Sequence, residues 1–533
     1  MLYHWLSVYF FLTVAHLACF STPVASPWDD VSVKHAWEAV PDNWESLGPP
    51  HPGTTMNLFV ALKSRNENAL IDALYEVSTP GNPKYVLSNM PPRTMLLYVP
   101  LLLCRYGAHL TKEEVAELVA PHPHTLELVY SWLAHHGVRS SSISTTHGGN
   151  WLTLSGVPVS QANELLGASY QIYQHSGTND TAILRTVSYM LPTVLHSHVK
   201  TVAPTTFFAS IRTPQQTSQM LPVREAEALA KAAPREPLTE LPHRDYPEEV
   251  VPEFLRWLYG TISYIPEVPT QNAIGIVGYK DQLPHLPDLT SFMSALRSDA
   301  KSGTYFIDLI DAVPRSKDSL ALEANLETQY AQAMAFPTKL IYYATSHDRL
   351  KWDPRTLFLD SGDAFLIWID YLFSRDSIPQ TIITLAGVLE EDVPPQYAWS
   401  VCALLANLGA RGVSIISSSG DDGVGPKNCT NRFGNVHFMP RFPATCMCDA
   451  LSSLSCGTKA QVQVAYHIAT VSQVPISLAS AARRVHSPRS RHSSPGAASR
   501  DISPALAIRM FLCPNSSIVS AATIRACTSS FRA

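Results

Sequence analysis

The chain reads as an α/β protein with a parallel sheet flanked by helices in its second half, preceded by a separate mixed α+β unit. Three observations predict this. Short apolar runs at Ala273 to Tyr279, Lys339 to Ala344, Thr381 to Ala386 and Val413 to Ser417 alternate with helical segments at Ser319 to Ala335 and Tyr397 to Leu408. Strands alternating with helices build parallel sheets. A Pro- and charge-rich stretch from Thr213 to Glu249, containing Lys231, Pro234, Arg235, Glu236, Pro237 and Pro242, reads as a linker before this region. Upstream of it, Trp28 to Phe208 mixes helix and strand signals without that alternation.

The upstream elements follow from local chemistry. Thr111 to Ala120 reads as a helix, because Thr111 is a good N-cap and Glu114 stands three residues on, the spacing of a capping box. Trp151 to Gly156 reads as a strand ending in a turn, and Val159 to Ala168 as a further helix. With 533 residues there is room for two or three domains. Hydrophobic content of 46% against 16% charged residues places the chain among globular proteins rather than disordered ones. A net charge of −5 gives no global attraction to nucleic acid. The balance breaks at Cys446: nine Lys and Arg against two Asp and Glu follow it, whereas thirty against forty-two precede it.

Residues 1–26 hold no Lys, Arg, Asp or Glu, and Leu6 to Phe20 is apolar apart from Ser7, Thr13 and His16. With small residues Ala25 and Ser26 following, this reads as a secretory signal with an uncharged start. A buried N-terminal helix is the alternative, and the run is too short for a comfortable membrane span. Secretion fits nine cysteines, although spacing leaves their pairing open. It also fits glycosylation sequons at Asn179 and Asn428.

Two stretches look foreign to their surroundings. Residues 86–106 carry an apolar patch and two adjacent prolines, with no helix or strand period. They begin and end so that Tyr85 and Tyr106 are interchangeable, as a retained in-frame intron would leave them. A genuine loop insertion is the alternative. Residues 447–533 are rich in Ser, Ala and Arg, and read either as a basic disordered tail or as a slipped reading frame. As nucleic-acid-binding matter the tail is disfavoured, since it lacks interleaved aromatics.

The chemistry lies in two motifs. Leu322-Glu323-Ala324-Asn325-Leu326-Glu327-Thr328-Gln329-Tyr330 puts Glu323 and Glu327 four apart, so a helix brings both carboxylates to one face. Ser418-Ser419-Gly420-Asp421-Asp422-Gly423 follows a strand and would, on its own, be an ordinary turn. Upstream stand Tyr106-Gly-Ala-His-Leu-Thr-Lys-Glu-Glu-Val, Thr146-His-Gly-Gly-Asn-Trp-Leu, Ile183-Leu-Arg-Thr-Val-Ser-Tyr-Met-Leu-Pro and His198-Val-Lys-Thr-Val-Ala-Pro-Thr-Thr-Phe. In this order the motifs resemble the sedolisins, acid-acting serine peptidases, and within them the fungal secreted tripeptidyl-peptidases.

The resemblance implies a subtilisin-like parallel sheet, incomplete here, at 250–446. It implies an α+β ferredoxin-like activation pro-domain at 27–208, a linker or processing region at 209–249 and a non-homologous tail at 447–533. It also implies the roles. Glu323 is the general base toward a serine, Glu327 orients it, and Asp421 donates a hydrogen bond in the oxyanion hole. A carboxylate base suits acid, where a His base of pKa ~6.5 is already protonated, while a coupled carboxyl pair keeps one member basic at lower pH.

Three departures accompany the resemblance. The family has Asp at the position of Glu327, so this arm is one methylene longer. Ile383, Leu385 and Ala386 stand where the family strand is Ser-rich and ends Ser-Tyr-Gly. The Gly-Thr-Ser of the nucleophile occurs nowhere, and Cys456-Gly-Thr-Lys puts Lys459 in its place. No nucleophile or metal ligand is therefore identifiable, although the family implies calcium. The expected activity is release of tripeptides from polypeptide N-termini by a secreted enzyme restrained by its own pro-domain. The chain as written is expected to be inactive, and the alternative is a non-catalytic pseudo-peptidase acting by binding. Sequencing the spliced transcript from the codon of Pro80 checks the retained intron and the slipped frame: residues 86–106 should vanish and a Gly-Thr-Ser should appear downstream.

Overall fold

The computed structural model describes residues 26–78, 109–146, 148–176, 182–208, 251–279, 282–310, 322–345, 363–384, 387–418 and 439–446. The segments 1–25, 86–106 and 447–533, the linker, Asp421 and both sequon asparagines lie outside the described residues.

In the N-terminal unit the strands are β1 (Val31–Ala36), β2 (Trp44–Gly48), β3 (Thr55–Leu62), β4 (Ile143–Thr145), β5 (Trp151–Pro158), β6 (Gln171–His175), β7 (Ala182–Arg185), β8 (Ser188–Pro192) and β9 (Val199–Ala203). Its helices are α1 (Ala69–Ser78), α2 (Lys112–Val119), α3 (Pro123–His135) and α4 (Val159–Leu166). The main sheet runs β4-β5-β3-β9 with every pair antiparallel. Taken as β3-α3-β4-β5-α4-β9, that order is the split β-α-β arrangement of a ferredoxin-like fold. Alternation along β3 puts Met56, Leu58 and Val60 into a core with Val129, Trp132 and Leu133 of α3 and Leu165 of α4. Burying each such side chain contributes roughly 1.5–3 kcal/mol.

The capping box at α2 forms as the sequence requires. Glu114 N donates to Thr111 Oγ1 at 3.1 Å, and Thr111 N donates to the Glu114 carboxylate at 2.8 Å. Strand β5 runs two residues past Gly156, where the sequence reading ended it. Gly156 takes φ +65°, and the β3–β5 register shifts between Met56 and Leu58, so the strand absorbs an irregularity instead of turning.

The second unit holds α5 (Pro252–Leu258), β10 (Ala273–Gly278), α6 (Leu286–Leu296), β11 (Phe306–Ile310), α7 (Leu322–Ala335), β12 (Lys339–Thr345), α8 (Ala364–Ser374), β13 (Thr381–Thr384), β14 (Val388–Leu389), α9 (Pro395–Ala410), β15 (Ser414–Ser417) and β16 (Arg441–Phe442). Five strands pair in parallel in the order β11-β12-β10-β13-β15. Ile276, Leu340 and Tyr342 point to one face and pack with α6 and α7. Val277, Tyr343, Ile382 and Ile415 point to the other and pack with α8 and α9. Both faces are thus apolar, as a doubly covered parallel sheet requires. Cys402 in α9 is bonded to Cys446, 44 residues on, which assigns one pair that spacing left open. Among the described residues no helix is long and apolar enough to cross a membrane.

The two units share a core. Ala61, Trp151, Ala203 and Phe207 of the first pack with Phe365, Phe373, Tyr397 and Leu404 of the second. Leu70 and Leu74 of α1 pack against Ala406 and Ala410 of α9. Leu110 N donates to Ala410 O at 2.9 Å across the seam, and Asn407 donates to Gly148 O at 3.4 Å. The α2 cap supports Val115 and Val119 in this cluster. Thr111→Ala should therefore cost about 1 kcal/mol, readable as a lowered denaturation midpoint, whereas Thr111→Ser should cost little.

Candidate active site

In an open α/β sheet, ligands bind outside the carboxyl ends of the strands, where the strand order reverses. Here that point is the end of β10, with β12 on one side and β13 on the other. Hydroxyls tie the strand ends together. Thr345 Oγ1 donates to Gly278 O at 2.8 Å, Tyr279 and Thr384 hydroxyls bond at 2.8 Å, and Ser418 N donates to Thr384 O at 3.1 Å.

Helix α7 follows β11, so its first turn lies at this same edge. Glu323 and Glu327 come one turn apart, and both are buried, at 6% and 9% exposure. Glu327 Oε2 has no hydrogen-bond partner. Burial pushes the Glu327 carboxyl well above the usual carboxylate range, and the charge of Glu323 raises it further. The hydroxyl of Tyr342, on the α7 face of β12, is raised by burial and then by the charges of Glu327 and Glu323. A side chain at Gly278 would overlap that hydroxyl, so glycine at the end of β10 makes its room.

The helix is held from outside as well. Asn325, between the two glutamates, accepts from His285 N and donates to Asp288 Oδ2, both at 2.7 Å. His285 Nδ1 stands 3.1 Å from Asp288 Oδ1. The Phe292 and Tyr330 rings meet at 5.2 Å, fixing α6 against α7.

Two acids therefore stand one helical turn apart in a buried site, and Glu327 is held toward its neutral form. Asp421, the remaining site residue expected from the sequence, and Asn179 and Asn428 lie outside the described residues. So do Leu385 and Ala386, while Ile383 sits in β13 on the Ile276 register. The motifs did not point to Tyr279, Tyr342, Thr384 or Asp363, which stand at the same edge. A rule that marks residues closing each parallel strand would have found the first and third.

Among the described residues no three metal-ligating side chains cluster. Calcium takes six to eight oxygen ligands, and residues 447–533 contain only Asp449 and Asp501 as acids. Among the described residues nothing fits the ion.

Because its carboxyl is raised in the fold, Glu327 favours the folded state while protonated. That contribution is complete below the unfolded pKa of about 4.3 and is lost as pH rises through the folded value. Glu327→Gln should raise the melting temperature at pH 7 and leave it unchanged in strong acid.

Comparison with known proteins adds relatives to this geometry. The Pro-kumamolisin activation domain matches residues 42–89 and 104–208. The chain is 27% identical over 445 residues to a tripeptidyl-peptidase, SED2, of Arthroderma otae, covering 81% of this chain and 69% of the relative. It is 28% identical over 454 residues to a probable tripeptidyl-peptidase, SED3, of Trichophyton verrucosum, covering 84% and 69%. Among solved structures, Pseudomonas sedolisin, a serine-carboxyl proteinase complexed with pseudo-iodotyrostatin, aligns over 35% of this chain and 48% of its own at 19% identity, with a TM-score of 0.25. The activation-domain match ahead of a parallel sheet and the tripeptidyl-peptidase relatives make this chain similar to the sedolisin family of serine peptidases.

Proposed function

We propose that the locus of this chain encodes a secreted acid serine peptidase that releases tripeptides from the free N-termini of polypeptides. The observation that carries the reading is the Glu323–Glu327 pair, buried one turn apart at the carboxyl edge of the sheet. In this reading Glu323 takes the proton of the attacking serine and Glu327 holds and polarises Glu323. Asp421, protonated in acid, donates to the developing oxyanion. A raised Glu327 carboxyl is suited to this, because it lets the pair hold one proton between them in acid. The relatives' names supply the tripeptidyl specificity, and residues 1–26 supply the route out of the cell.

Residues 27–208 act as the activation pro-domain, 209–249 as the processing linker and 250–446 as the part of the peptidase domain present. The split in the activation-domain match, between 89 and 104, supports 86–106 as foreign to it. Asn179 and Asn428 are the glycosylation sites. As written, the chain lacks Gly-Thr-Ser, and it is inactive for want of a nucleophile. That same observation favours the second reading, a pseudo-peptidase that binds partners through its N-terminal half.

The decisive assay uses the protein translated from the sequenced transcript and an unblocked tripeptide substrate with a fluorescent leaving group. Hydrolysis should be maximal in acid and fade toward pH 7. Glu323→Ala should lower kcat by a factor of about 100 or more. Activity in the chain as written would overturn its assignment as inactive. No activity in a product that carries Gly-Thr-Ser would leave the binding reading.

A further inference from the structure

Asp363 stands at the carboxyl edge of the sheet, on the opposite face from the glutamate pair, and the chemistry above does not use it. As N-cap of α8, its Oδ1 accepts from Phe365 N at 3.1 Å and Leu366 N at 3.2 Å. The same oxygen accepts from the Tyr397 hydroxyl at 2.5 Å. Its other oxygen, Oδ2, has no hydrogen-bond partner, although the residue is only 1% exposed. Capping requires one oxygen, and Asn or Ser would supply it without a charge. A buried carboxylate with an unused oxygen is costly and calls for a counter-charge.

The N-terminal unit brings a buried cation to the Tyr397 side of this carboxylate. Arg185, 2% exposed at the end of β7, donates from Nε to Phe207 O at 2.8 Å. The Phe207 ring stacks on Tyr397 with centroids 4.4 Å apart. A continuous path of contacts therefore leads from the guanidinium through Phe207 and Tyr397 to Asp363. Burial raises the Asp363 carboxyl, while the Tyr397 hydrogen bond and then the Arg185 charge draw it down. Tyr279 connects Asp363 to the glutamate pair: its hydroxyl, raised mainly by burial, responds to the charges of both Glu327 and Asp363. Phe207 of the N-terminal unit lies over Tyr397 and near Phe365, the two residues that bond Asp363 Oδ1.

We propose that Asp363 is a cation-recognition subsite of the peptidase cleft, answered by Arg185 while the pro-domain is docked and by an ammonium or guanidinium group of a bound peptide when it is not. A peptide's free α-amino group and a basic side chain offer the same chemistry. The inference rests on the peptidase reading and names what its cleft would hold.

The test uses the full chain with a site-specific protease sequence placed within residues 213–249, cut, shown by size-exclusion chromatography to have released its N-terminal half, and then titrated with three C-terminally labelled peptides. The first is Ala-Ala-Phe-Gly with a free amine. The second is its N-acetyl form, and the third is the N-acetyl form with Lys in first place. Fluorescence anisotropy should show the free amine binding about tenfold more tightly than the acetylated peptide. Asp363→Asn should erase that difference while keeping the cap and the circular dichroism spectrum. Binding of the Lys peptide like the first assigns the subsite to any cation, and binding like the second assigns it to the N-terminus; either supports the inference. Equal affinities in the unmutated protein, or a preference that survives Asp363→Asn, overturn it and leave the peptidase reading standing. No binding of any peptide overturns both. Uncut Arg185→Gln protein should admit the first peptide better than the uncut parent, and an unchanged affinity would remove Arg185 from the proposal.

Discussion

Two carboxylates one helical turn apart, both out of water, cannot both be ionised without a large penalty. That constraint governs the second unit. It requires a helix start at the sheet's carboxyl edge, a covering layer and neighbours that tolerate a shared proton. Helix α6 provides the outer brace through Asn325, and β12 provides Tyr342 beneath the pair. A surface helix with the same two glutamates would lose only a few tenths of a kcal/mol to repulsion. Burial makes the difference, and burial is a property of the fold rather than of the motif.

The N-terminal unit covers the other face of the sheet. Its contact with α8 and α9 is apolar and close, with Phe207, Trp151, Leu70 and Leu74 buried to core levels. Such a seam resembles the inside of a domain more than a transient contact. Among the described residues, directional bonds across it run from Leu110 N to Ala410 O and from Asn407 to Gly148 O, on a largely non-directional surface.

How much of this was legible in the sequence differs by element. Strands β10, β12, β13 and β15 came from apolar runs, and α7 and α9 from helical spacing. Their bounds shifted by a few residues, as end residues fray between patterns. Helix α8 was not read, because Ala364 to Ser374 is apolar almost all round and shows no amphipathic period. Strand β11 was missed for the opposite reason, being a short edge strand with three half-exposed apolar residues. Glu323 and Glu327 were legible through their flanking motif. Asp363 was not, since an N-cap aspartate is a common local feature and its unused oxygen is visible only with its neighbours in place. The Cys402–Cys446 pairing was equally invisible, because spacing alone does not distinguish among nine cysteines.

The seam also contains two glycines that face large groups on the opposite unit. A side chain at Gly148 would lie 3.1 Å from Leu404 and Phe373, and one at Gly412 would lie 2.5 Å from His109. Gly412 also takes φ +89°, a conformation that other residues adopt only with strain. Space on one side is thus matched to bulk on the other, in both directions. A larger residue in either unit is tolerated only if its counterpart shrinks, so the two halves must drift together.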